Sequence, residues 1–187
     1  MAIRFKNLIE DEIAGTVGFL RFVPRKGSEW LGALFLMNAM GEPVEFTHAR
    51  LKAPSSALWH QDDLRTYCVR SLCVAMFDAC PVSPLVILCR AEEVGPHLFS
   101  EQIQVDMPVG RAARSDLPTT VSPAERPEAE KRTEAGIEYS VYWTPDAPEP
   151  GSDARRLFDA VSSRGMLVEP FQRVEAGLRE VYPDEAV

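Results

Sequence analysis

The stretch Trp30-Leu-Gly-Ala-Leu-Phe-Leu-Met37 constrains this chain more than any other feature, because it offers water no polar face. A strand that is apolar on both sides belongs in the middle of a sheet, not at a wet edge. The turn residues Asn38-Ala-Met-Gly-Glu42 follow it, with Gly41 suited to a positive φ. The chain resumes with Val44 and Phe46 alternating with Glu45 and Thr47, which predicts the half-exposed second arm of a β-hairpin. Pro43 stands where that arm begins, a position a strand tolerates.

The remaining elements fall around this hairpin. Residues 15–23 read as a preceding strand ended by Pro24, and Ser83-Pro-Leu-Val-Ile-Leu-Cys89 as a second interior strand. Between them a helix is predicted from Gln61 or Asp62 to about Cys80, with Asp62 and Asp63 in its first turn and Pro81 as its stop. Leu64, Cys68, Leu72, Ala75, Met76 and Ala79 form one stripe of that helix. Val69, Cys73 and Phe77 widen it, so burial on more than one side is expected. Residues 101–109 alternate with period two and read as an exposed strand or extended segment. Residues 110–136 contain three prolines, mixed charge and no aromatic residue, a composition that predicts a mobile loop or linker. Ile137-Glu-Tyr-Ser-Val-Tyr-Trp143 reads as a strand, expected at a sheet edge because it follows that loop. Two helices close the chain, one capped by Asp153 and ended by Gly165, the other from Glu169 to Val181.

This order predicts an α+β domain, with a mixed α/β sheet as the alternative. Its sheet is largely antiparallel, with a long helix after the first three strands and two C-terminal helices. Residues 1–109 form the N-terminal part, 110–136 the linker, and 137–187 a strand and two helices packing on the same domain. The hairpin-then-helix order is similar to that of roadblock and longin modules, in topology alone; no family motif carries residues across.

Chemistry is marked mainly by what is missing. There is no G-x-G-x-x-G, phosphate-binding loop, G-x-S-x-G elbow or H-E-x-x-H. Cys68, Cys73 and Cys80 sit among apolar residues, as core thiols do, and with Cys89 they match no metal-binding spacing. No catalytic residue, metal ligand or cofactor is therefore assigned. Glu42, Glu45, Glu92 and Glu93 are candidate acid–base carboxylates weighed against plain solvation, and His48, His60 and His97 stand in a strand and two loops. The formal charge of −8, from 28 acidic and 20 basic residues, argues against general nucleic-acid binding. Local basic groups remain: Arg21, Arg25 and Lys26, and separately Arg155 and Arg156, are candidate phosphate contacts. Trp30, Trp59, Tyr139, Tyr142 and Trp143 lie at element edges and are candidate partner-binding residues.

These features predict a non-catalytic interaction subunit or adaptor of a larger cytoplasmic assembly. A protein partner is expected, nucleic acid is reached only through a complex, and no apolar run is long enough to span a membrane. The alternatives are a small hydrolase or nucleotide-processing enzyme without a recognisable motif, or a nucleic-acid-binding accessory protein using the arginine patches.

Overall fold

The computed structural model describes residues 13–116 and 129–183. Seven strands are present among them: β1 (Val17–Pro24), β2 (Glu29–Met37), β3 (Pro43–Lys52), β4 (Val86–Arg90), β5 (Val109–Arg114), β6 (Glu130–Glu134) and β7 (Ile137–Thr144). Three helices accompany them: α1 (Gln61–Ala79), α2 (Asp153–Ser163) and α3 (Glu169–Val181). The strands form one sheet in the order β3-β2-β1-β4-β5-β7-β6. The fold is mixed α+β, with the long helix after the first three strands and two helices at the C-terminal end, as the element order predicts.

The hairpin register explains why β2 is apolar on both faces. It pairs antiparallel with β1 from Met37 opposite Val17 to Trp30 opposite Pro24, and with β3 on its other side. One face of the sheet sends Phe19, Phe35 and Leu88 against Leu157 and Phe158 of α2 and Phe171 and Val174 of α3. Phe171 meets the Phe19 ring edge-on at 5.3 Å, a favourable geometry for two buried rings. The other face sends Leu20, Leu34 and Ile87 against Val69, Leu72 and Met76 of α1. Helices thus cover the sheet on both sides, and this permits the parallel pairs β1–β4 and β4–β5 at its centre.

Several elements differ from the sequence reading. The α1 helix is buried along one face only, through Cys68, Val69, Leu72, Cys73 and Met76; Ala75, Ala79, Tyr67 and Val74 face solvent. Leu98–Gln102 is a π-helical turn, and it takes up the first two residues of the extended segment expected over 101–109. Ser152, not Asp153, caps α2, its side chain accepting from the Arg155 N–H.

The largest correction concerns residues 110–136. Residues 110–114 lie in β5 and 130–134 are β6, while 117–128 lie outside the described residues. Low hydrophobicity misleads here because the charges of β6 find partners far away in sequence. Glu130 accepts from both Nη atoms of Arg155, at 3.0 and 2.6 Å, and from Trp143 Nε1 at 2.9 Å. Arg132 bonds Asp159 at 2.5 Å and lies 4.9 Å over the Phe158 ring. Glu134 accepts from Leu167 N–H at 2.7 Å in the turn between α2 and α3. The expected edge position of residues 137–143 is corrected by the same pairing, since β7 lies between β5 and β6 and the edge is β6.

Candidate functional site

β1 and β4 are parallel neighbours whose chains leave in opposite directions, β1 to β2 on one side and β4 to β5 on the other. Open α/β sheets bind ligands outside the carboxyl ends of strands at such a divergence. A crevice of about 270 Å³ lies at that end. Its walls are the first turns of α1, contributing Asp62, Arg65 and Thr66, and the segment after β4, contributing Glu92, Glu93 and His97. Arg65 closes one corner by donating from Nη2 to the Glu92 carbonyl oxygen.

Charges in this region are paired. Arg21, on β1, reaches Glu93 through Nη1 and Glu175 of α3 through Nη2. The other oxygen of Glu93 accepts from the Phe22 N–H at 3.0 Å. Arg90 lies 2.6 Å from Glu92 and 3.8 Å from Glu93. Burial, and then the neighbouring Arg90, push the Arg21 pKa below its ordinary value, while Glu175 and Glu92 pull it back up. The group nevertheless stays charged, as arginine does in proteins. The side chains of Arg21 and Glu93 are 8% and 11% exposed, so the solvated-carboxylate reading of Glu93 is corrected.

The exposed rim carries a second arrangement, His97 Nδ1 at 2.9 Å from Glu101 Oε1. A carboxylate on one ring nitrogen orients the imidazole and leaves the other free to exchange protons. Sequence reading missed this pair for a geometric reason. The sequence reading leaves His97 in a loop and begins an extended segment at Glu101, so it gives the two side chains no common side. The π-helical turn brings them onto one side.

The other sequence-derived candidates scatter. Tyr139 and Tyr142 are buried, Tyr142 with the Arg111 guanidinium 5.8 Å over its ring. Trp143 is half-buried and held by Glu130, and Trp30 packs against the α1-side core. Of the five aromatic candidates Trp59 is the exposed one, its ring 5.3 Å from Tyr67. Arg21 is committed to carboxylates, while Arg25 shares a small pocket of about 70 Å³ with it and Lys26 is exposed in the adjoining turn. Arg155 belongs to the Glu130 network on α2 and Arg156 pairs with Asp153, so the two basic groups do not converge. The four cysteines are free, and burial raises the thiol pKa of Cys68, Cys73 and Cys89, the last to about 12.

No family model matches the sequence, and no curated protein matches it. Solved structures do match in fold. The endonuclease V of Bacillus subtilis superposes with a TM-score of 0.54 at 10% identity, covering 90% of this chain and 81% of that one. The catalytic domain of human endonuclease V superposes with a TM-score of 0.52 at 11% identity, covering 96% of this chain and 89% of that one. At these identities the likeness is one of fold. It overturns the reading of a non-catalytic interaction subunit or adaptor, which rested on the lack of any catalytic motif: both matched structures are endonucleases.

Nucleases commonly use divalent metal ions held by clustered carboxylates. Among the described residues, no group of three or more His, Cys, Asp or Glu side chains is placed to hold a metal ion. The carboxylates following β4 are engaged by guanidinium groups instead, so the residues present do not fit a carboxylate-bound metal centre. No helix among the described residues is long and apolar enough to cross a membrane.

Proposed function

We propose that this chain is a nucleic-acid-processing hydrolase that acts on phosphodiesters in the crevice at the carboxyl end of β4, between α1 and the segment that follows β4. The observation that supports it most is the match of nine-tenths or more of the chain to endonuclease V folds. The crevice lies where an open sheet of this topology binds ligands. In this reading Arg65 contacts a phosphate oxygen and His97, oriented by Glu101, takes the proton of the attacking water. The water oxygen bonds to phosphorus, the bond to the leaving sugar oxygen breaks, and that oxygen takes a proton from solvent. The acidic overall charge calls for local guanidinium contacts in place of a broad basic surface. Free thiols suit a cytoplasmic setting.

The test uses labelled DNA and RNA oligonucleotides, single- and double-stranded, at low salt, with cleavage read on gels and binding by fluorescence anisotropy. Cleavage of at least one class is expected. General acid–base groups contribute roughly 10²–10⁴-fold, so His97→Ala should lower the rate by that order while leaving binding near wild type. Arg65→Ala should weaken binding. Failure of the folded protein to bind or cleave any of the oligonucleotides would overturn the proposal.

A further inference from the structure

We infer that Arg21 is a built-in counter-cation beside this crevice, its guanidinium holding the position between Glu93, which lines the crevice, and Glu175 of α3 that a divalent ion would otherwise take. The consequence, that phosphodiesters are handled without a metal at this point, rests on the proposed function; the electrostatic inference does not.

The fold forces the problem that Arg21 solves. The chain after β4 brings Glu92 and Glu93 to the carboxyl end of a central strand, and α3 brings Glu175 over the β1 face on which Phe19 meets Phe171. Carboxylates gathered in a partly desolvated place repel and need a cation. Arg21 supplies one from inside the sheet. Its two Nη atoms go to two different carboxylates, which is bridging coordination and not the parallel fork an arginine makes with a single one. Glu93 has little left to offer, because its second oxygen is taken by the Phe22 N–H and Arg90 stands 3.8 Å from the first. Glu92 is met by Arg90 at 2.6 Å. A hard divalent cation needs several oxygen ligands, and here those oxygens are committed to a group that cannot lose its charge. Removing Arg21 leaves Glu93 near Arg90 and Glu175 near Arg179, with a gap between two carboxylates that a divalent ion can bridge.

The experiment measures Mn²⁺ uptake by titration calorimetry and melting temperature with and without Mn²⁺. For the wild-type protein, no uptake and an unchanged melting temperature are expected. Arg21→Ala should melt lower, and Mn²⁺ at about a hundredfold over its Kd should raise that value by roughly 5–10 °C. Arg21→Lys, which keeps a cation, should not respond. If Arg21→Ala fails to fold, Arg21→Gln, with an amide donor between the carboxylates, carries the same expectation. Wild-type Mn²⁺ uptake that Glu93→Gln abolishes would overturn the inference, as would a folded Arg21→Ala protein indifferent to Mn²⁺. Neither readout involves oligonucleotides, so this inference and the proposed function can fail separately.

Discussion

Replacing Glu130 with glutamine asks whether β6, whose composition reads as a linker, is part of the folded body. The carboxylate accepts from Arg155 at 3.0 and 2.6 Å, from Trp143 at 2.9 Å and from Arg132, in a setting where it remains 21% exposed. A glutamine keeps one acceptor oxygen but turns an NH₂ group toward guanidinium donors. Removing one member of a fully buried ion pair costs about 3–5 kcal/mol, and a hydrogen bond to a charged group about 1.5–3 kcal/mol. Water reaches this network, and Asp159 continues to serve both arginines at 2.5 and 3.0 Å. The expected loss is therefore about 2 kcal/mol, or roughly 4–8 °C in Tm for a chain of this size.

Urea unfolding followed by tryptophan fluorescence, with calorimetry alongside, measures the loss. The pH dependence supplies an independent sign. Burial raises the Glu130 pKa, but hydrogen bonds from Arg155, Trp143 and Arg132 outweigh it and hold the value below the ordinary carboxylate range. Its contribution is thus complete above the unfolded pKa, near 4.3, and is lost as pH falls through the lower folded value. The gap between wild type and Glu130→Gln should narrow in that acid range. A midpoint within about 0.5 kcal/mol of wild type at neutral pH would show that β6 does not dock as described.

Other outcomes follow from the same structure. Gly110→Val should cost about 1–3 kcal/mol by overpacking, since a Cβ there meets Leu88, Trp143 and Val141 side chains at 2.9 Å; an unchanged denaturation midpoint would contradict the β5 packing. Cys73 and Cys89 should resist thiol reagents in the native protein and react on unfolding, because burial raises both pKa values, that of Cys89 to about 12. An unfolded chain releases these protons from about pH 8.5 while the native one holds them, so stability should fall as pH rises above that value, as alkaline melting curves can check. Glu101→Gln should lower cleavage less than His97→Ala does, because it orients the ring without touching substrate; an equal loss with altered binding would place Glu101 on the substrate itself.

Local pattern alone determined the hairpin, the long helix, β4 and the two C-terminal helices, because each carries its own periodicity and its own stop. Met37 with Asn38-Ala-Met-Gly, Pro81, and Gly165 at φ +70° are examples that need no distant partner. Sequence likewise marked Cys68 and Cys73 as core thiols, since neighbours along α1 already supply the apolar surroundings, whereas Cys80, expected with them, is half-buried at the helix end. Tertiary structure decided what depends on distant residues. The charges of β6 become structural only when α2 supplies Arg155 and Asp159. Tyr142 passes from candidate contact to buried ring because β6 and β5 flank β7 on both sides. The crevice exists because the start of α1 lies against the segment after β4, with Arg65 on Glu92, 27 residues on in sequence. The cation that joins Glu93 at the crevice wall to Glu175 of α3, Arg21, reads locally as part of a surface patch with Arg25 and Lys26. Its carboxylate partners lie 72 and 154 residues away, at Glu93 and Glu175, where no local pattern reaches them.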